Sequence, residues 1–248
     1  FTKFGGNIEV DLINALRFDV LCLGNHEFDN GIDELARRVR TIKSPVVCAN
    51  YDFSNTPLDG LVKPWAVVEK AGKKIGVIGL LTDLYSVVSR EIAVQLKYQH
   101  PAEVADRYGK ELKDMGCDLV IALTHLGYEG GEYYTDQELA SHTRYVDVIV
   151  GGHSHTYLTE MKTVRNLDGS EVKIVTDGKW GLNVGKLSVD FQPNRLTALY
   201  EQLKNSDYLP HDSSWFPYKM VSWHKGLQPL AYLHLTDNSQ DCTHLQKL

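Results

Sequence analysis

Three short blocks hold the side chains of this sequence best suited to chemistry. The first, Gly24-Asn25-His26-Glu27-Phe28-Asp29, packs an amide oxygen, an imidazole and an acid into six residues, with Gly24 allowing a tight turn at its start. An Asn carbonyl oxygen is a hard donor that can share a divalent cation with imidazoles, while an adjacent histidine left off the metal would face a substrate. Asp29 would accept from the His26 ring, fixing its tautomer and holding its proton, as an acid or a transition-state stabiliser requires. The second block is Thr124-His125 and the third Gly151-Gly152-His153-Ser154-His155. On an extended backbone His153 and His155 share a side, and a local turn would aim them at two metals. Asn25, His125, His153 and His155 make a nitrogen and oxygen ligand set without thiolate. Such a set suits Mn, Fe or Zn in catalysis better than a Cys-rich structural zinc site.

Each block follows a short apolar run: residues 20–23 after Asp19, 119–123 after Asp118, and 148–150 after Asp147. Continuous apolar runs suit strands covered on both faces, as in α/β sheets. A histidine then sits just past each carboxyl end, the edge where open α/β sheets gather their ligand sites. Between the runs lie helical spacings: Ile32, Leu35, Val39 and Ile42; then Val104, Ala105, Tyr108, Leu112 and Met115, with Pro101 near the start and Gly116 as the stop. Residues 46–49 read as a strand, 65–69 and 75–80 as a hairpin across a turn at 70–74, and 173–176 and 184–190 as further strands. The pattern predicts a mixed α/β sandwich with helices outside packed sheets. The pairs Gly130-Gly131 and Gly151-Gly152 read as turns.

Composition narrows the classes. With 248 residues, 43% hydrophobic and 23% charged, 20 Gly and 8 Pro, the chain is globular rather than collagenous, low-complexity or disordered. A net charge of −6 with scattered Lys and Arg excludes a nucleic-acid or anionic-membrane surface built on bulk charge. No apolar stretch approaches the ~20 residues of a membrane span. Cys22, Cys48, Cys117 and Cys242 follow neither zinc-finger nor disulfide spacing and read mostly as small buried hydrophobes. After about residue 191 the texture changes: no Arg follows Arg195, and Trp215, Phe216, Trp223, His211, His224, His234 and His244 appear without sustained periodicity. Those histidines, His100 and His142 carry no chemical reading. Competing motifs fail on spacing: His26-Glu27 opens like H-E-x-x-H, but position 30 is Asn30, and neither G-x-x-x-x-G-K-[ST] nor G-x-S-x-G occurs.

The three blocks, in this order, resemble those of the calcineurin-like metallophosphoesterase superfamily, and within it the 5′-nucleotidase/UDP-sugar hydrolase branch. The resembling stretches are Gly24 to Gly31, Thr124-His125-Leu126-Gly127 and Gly151 to His155, with Ala49-Asn50-Tyr51-Asp52-Phe53 and Gly178-Lys179-Trp180-Gly181 also similar. The resemblance implies an α-β-β-α sandwich with mixed sheets, and two divalent metal ions that activate water for in-line attack on phosphorus. It implies that Asn25, His125 and His153 ligate one metal, that His155 ligates the other, and that His26 and Asp29 form the catalytic pair. The activity implied is a metal-dependent phosphoester hydrolase, 5′-nucleotidase-like, removing phosphate from a nucleotide or another small phosphomonoester. Two alternatives are a cyclic-nucleotide or UDP-sugar phosphodiesterase, and an inactive metal- or nucleotide-binding fragment.

The pattern's upstream D-x-H and G-D blocks, and its first strand, are not among these residues. The expected division is therefore an N-terminally incomplete metallophosphoesterase domain over 1–191 and an unassigned tail over 192–248. That tail is too short for the base-stacking C-terminal domain of the branch, which would be separate or missing. No compartment is fixed by these residues; relatives in the resembled branch are often exported or periplasmic.

Overall fold

A computed structural model of the chain describes residues 5–130, 133–179, 181–192, 195–203 and 231–233. In chain order the elements are α1 (Asn7–Leu16), β1 (Val20–Cys22), a 3-10 turn (Asn25–Phe28), α2 (Ile32–Val39), β2 (Val46–Val47) and β3 (Tyr51–Asp52). Next come β4 (Trp65–Lys70), β5 (Lys73–Leu81), a 3-10 turn (Leu84–Ser86), α3 (Arg90–Ala93), β6 (Lys97–Tyr98) and α4 (Pro101–Asp114). They are followed by β7 (Leu119–His125), α5 (Asp136–His142), β8 (Val148–Val150), β9 (Lys162–Arg165), β10 (Glu171–Val175), β11 (Val184–Gln192), β12 (Arg195–Leu203) and β13 (Ala231–Leu233).

Two sheets form the centre. The larger has the order β4-β5-β7-β8-β10-β9, with parallel β5, β7, β8 and β10 and antiparallel strands at both edges. The smaller has β1 between parallel β2 and antiparallel β13. Period-two side-chain alternation divides each apolar run between two layers. Val20 and Cys22 of β1 and Leu119, Ile121 and Leu123 of β7 fill the space between the sheets. Leu21 and Leu23 turn outward to Val10 and Ile13 of α1 and Ile32, Leu35 and Val39 of α2. On the opposite outside face Val120 and Ala122 meet Val104, Ala105 and Leu112 of α4 and Leu139 of α5. The result is the expected α-β-β-α sandwich. The runs read as continuous because each strand is buried on both sides.

Local signals explain the element ends. Pro101 opens α4, where its missing N–H costs nothing, and Gly116 closes it at φ 82°, letting Cys117 N–H reach the Leu112 carbonyl. The β4–β5 hairpin is tighter than its sequence suggests. Only Ala71 and Gly72 lie between the strands, both at positive φ, as a two-residue turn requires. Of the run 46–49 only Val46 and Val47 form the strand, the N–H groups of Cys48 and Ala49 donating instead to the carbonyls of Lys63 and Gly79 ahead of Asn50. The Asn50 amide donates to the Leu81 carbonyl at 2.7 Å and accepts from Leu81 N–H at 2.8 Å, joining the two sheets. The Tyr51 hydroxyl adds bonds to Thr82 O and Leu84 N.

The elements α1, α3, β3, β6, β9, β12 and β13 escape the sequence reading. The extents of α2 and α4 are shorter than the periodicity, ending before Ile42 and Met115. Cys22, Cys48 and Cys117 are buried free thiols, as expected, and Cys242 lies outside the described residues. So do Trp180, Trp215, Phe216, Trp223 and the histidines after residue 203. Among the described residues no helix is long and apolar enough to cross a membrane.

Candidate active site

The loops that leave the carboxyl ends of β1, β7 and β8 meet at one edge of the sandwich. The β1 loop turns at once into the 3-10 helix Asn25–Phe28. Phe28 is fully buried and anchors the turn from below. The Glu27 carboxylate, also buried, accepts from Gly24 N–H at 2.6 Å and closes the loop on itself. Burial, partly offset by that bond, pushes the Glu27 carboxyl up to about 7. Glu27 has no assigned role in the sequence reading, yet this bond fixes the backbone on which Asn25 and His26 are mounted.

His26 and Asp29 form the expected pair. Nδ1 of His26 lies 2.8 Å from Oδ2 of Asp29, and the imidazole is about a third exposed. With Nδ1 engaged, Nε2 is the ring atom available for proton exchange.

His125 is the last residue of β7 rather than the first beyond it, and it is buried. Its Nε2 lies 2.9 Å from Asn25 Oδ1, while Nδ1 is buried with no hydrogen-bond partner among the described residues. The His125 and His153 ring centroids are 5.0 Å apart, and the Tyr133 ring stands edge-on to His153 at 5.5 Å. His153 and His155 sit at φ 78° and 58°, a left-handed conformation that costs a histidine about 1–3 kcal/mol and is typical of functional loops. Here the structure inverts one expectation. The turn lies in the two histidines, while Gly151 and Gly152 are not at positive φ. The two glycines instead permit close approach. A Cβ on Gly152 would stand 3.3 Å from His125 Nδ1, and one on Gly151 only 2.2 Å from Asp136 Oδ2.

The four imidazoles share one electrostatic neighbourhood. Burial, then the charges of His153, His26 and His155, lower His125 to about 3. Burial, then His155 and His26, lower His153 to about 4. Both rings are therefore neutral near pH 7, the state that donates a lone pair to a metal.

A divalent cation fits this donor set. Asn25 Oδ1 and His125 Nε2, each able to offer a lone pair, converge to 2.9 Å. Because Nδ1 of His125 is unpartnered among the described residues, the neutral ring can hold its one proton there and turn the Nε2 lone pair toward an ion. Among the described residues no three His, Cys, Asp or Glu side chains cluster tightly enough to hold a metal by themselves. The set depends on the amide of Asn25.

Asp136 is a second buried carboxyl that the sequence reading passed over. The only local signal there is the capping box of Thr135 and Glu138, which marks the start of α5. Asp136 accepts from Thr124 Oγ1 at 2.6 Å, and burial pushes it up to about 7.

Comparison with known proteins places the chain in a family. The calcineurin-like phosphoesterase family model matches residues 5–157. A probable 5′-nucleotidase of Treponema pallidum is 32% identical over 205 residues, covering 77% of this chain and 34% of that protein. The crystal structure of a 5′-nucleotidase precursor from Thermus thermophilus superposes with a TM-score of 0.74 at 35% identity, over 82% of this chain and 42% of that one. An NAD nucleotidase from Haemophilus influenzae superposes with a TM-score of 0.68 at 29% identity, over 79% and 36%. The chain thus spans about a third of the length of the curated relatives it matches. The sandwich, the three loops at one edge and the family match over more than half of the sequence lead to one conclusion: the chain belongs to the calcineurin-like phosphoesterase family, on its 5′-nucleotidase branch.

Proposed function

We propose that this chain carries a metal-dependent phosphoester hydrolase site that removes phosphate from a nucleoside monophosphate or a similar small phosphomonoester. The observation that carries the reading is the meeting of Asn25, His125, His153 and His155 with the hydrogen-bonded His26–Asp29 pair at one edge of the sandwich. In this reading Asn25, His125 and His153 hold one divalent ion, of Mn, Fe or Zn type, and His155 contributes to a second. Residues 1–191 supply every ligand and catalytic side chain in this reading, while 192–248 add β12 beside β11 and β13 beside β1. The names of the relatives support a nucleotide as substrate.

When bound, the cation supplies positive charge to the phosphoryl oxygens. The chain's own residues do the rest. His125 and His153 present neutral lone pairs because burial and mutual repulsion strip their protons. Asn25 adds a neutral oxygen donor, so the site does not cancel the charge it is meant to gather. Asp29 accepts from Nδ1–H of His26, and the doubly protonated ring delivers its Nε2 proton to the departing alkoxide oxygen as a water oxygen bonds to phosphorus and the ester P–O bond breaks. Phe28 and Glu27 keep His26 on a rigid turn, so little reorganisation accompanies the proton's movement.

The test is Mn²⁺-dependent phosphate release from AMP, beside a 2′,3′-cyclic nucleotide and a UDP-sugar. Release from AMP that His26→Ala lowers by about 10²–10⁴-fold supports the reading, and preference for either diester would replace it with phosphodiesterase activity. A second reading, a binding module without turnover, is favoured by the lack of a three-residue His, Cys, Asp or Glu cluster among the described residues. It predicts AMP binding that persists with no hydrolysis.

A further inference from the structure

Asp136 opens α5 on the helix-covered face of the larger sheet, directly behind the β7 and β8 loops, and is wholly buried. Its Oδ1 accepts from Thr124 Oγ1 at 2.6 Å, and its backbone N–H donates to the Gly127 carbonyl at 2.8 Å. Its Oδ2 has no hydrogen-bond partner among the described residues and fills the volume that a side chain on residue 151 would need. Thr124 immediately precedes His125, and Gly151 lies two residues before His153. One carboxyl therefore touches both Thr124, next to His125, and Gly151, two residues before His153.

A buried carboxyl with a single side-chain hydrogen bond is a costly way to fill space, and an aliphatic side chain would serve packing alone better. What the carboxyl adds is direction. Its first oxygen holds the Thr124 hydroxyl and its second rests on the bare backbone of Gly151, so one planar group packs across the two loop starts just beyond the Leu123–Val150 end of the β7–β8 ladder. Glu27 bears the same relation to Gly24 on the neighbouring loop, where a Cβ would stand 2.8 Å from Glu27 Oε2.

We propose that Asp136 is a positioning residue of the metal site, holding Thr124 and seating Gly151 so that His125 and His153 face one cation. The proposal rests on the reading of those two histidines as metal ligands. Partners of this kind, one step behind the ligands, typically change metal affinity by roughly 10- to 100-fold when removed.

The experiment is a titration of the chelator-treated full chain with Mn²⁺ alone, read by loss of the free-ion EPR signal, alongside thermal unfolding of each metal-free protein. Asp136→Ala and Thr124→Val are expected to weaken Mn²⁺ binding by roughly 10- to 100-fold, and Thr124→Ser, which keeps the hydroxyl, to restore it. A packing role would lower the unfolding temperature and leave affinity unchanged. Folded Thr124→Val binding Mn²⁺ as tightly as the unaltered chain overturns the proposal, and this variant decides the matter if Asp136→Ala does not fold. Absence of Mn²⁺ binding by the unaltered chain would overturn the ligand reading itself, and this proposal with it.

Discussion

His125 Nε2 and Asn25 Oδ1 meet at 2.9 Å although 100 residues separate them in the chain. Asn25 follows β1 in the smaller sheet and His125 ends β7 in the larger, so this contact bridges the sandwich at its carboxyl edge. The packing of Val20 and Cys22 against Leu119, Ile121 and Leu123 holds the two strands at the distance that makes it possible. Ligand geometry here is a product of core packing.

His26 and Asp29 are expected to act as a unit. His26→Ala should lower kcat for phosphate release by about 10²–10⁴-fold, the usual worth of a positioned proton donor. Asp29→Ala should lower it in the same direction, and the double variant should be little worse than His26→Ala alone. Multiplicative losses in the double variant would show that the 2.8 Å contact does not couple them.

Gly151 and Asp136 should be coupled in stability. An alanine methyl at 151 would stand 2.2 Å from Asp136 Oδ2, so Gly151→Ala should cost about 1–3 kcal/mol by overpacking. In Gly151→Ala/Asp136→Ala the methyl enters space the carboxyl vacated, giving a favourable coupling of about 0.5–3 kcal/mol. A urea double-mutant cycle measures it, and additive losses would contradict the contact.

Asn50 should be structurally indispensable despite making no contact with the imidazoles. Asn50→Ala leaves the N–H and C=O of Leu81 without their buried partners, at a cost of about 2–4 kcal/mol. A urea midpoint unchanged at constant m-value would show that the amide does not join the sheets.

The pH dependence of stability has a defined sign at Asp136. Burial raises its folded-state pKa to about 7, so the native chain keeps a proton that the unfolded chain releases above about pH 4. This group therefore lowers stability as pH rises from about 4 to 7, by up to ~1.4 kcal/mol per unit. His125 and His153, lowered to about 3 and about 4, act oppositely, adding stability as pH rises toward about 6.5. The unaltered chain mixes the two slopes. In metal-free protein, Asp136→Asn should gain on the unaltered chain at each step from pH 4.5 to 6.5, as measured by urea unfolding. A difference that stays constant across those steps would show that the carboxyl titrates normally.

Local sequence determined the elements that lead into the site. The apolar runs before Gly24, through Leu123 and before Gly151 state buried strands because both faces of each strand are covered. The placing of His26 three residues before Asp29 was legible for the same reason. One turn of 3-10 helix brings those positions together without help from the rest of the fold. The identity of the donors, amide and imidazole without thiolate, was equally visible.

Only the tertiary structure decided which loops meet and what supports them. A residue's type does not announce that Gly151 is bare to admit Asp136, or that the left-handed turn belongs to His153 and His155. Nor does it show that the Asn50 amide completes a ladder between sheets. These are contacts between segments tens of residues apart, whose separation is set by the thickness of the packed core. Short-range spacing encodes the periodicity of a strand or a turn, whereas the offset between two strand ends exists only once both have been packed.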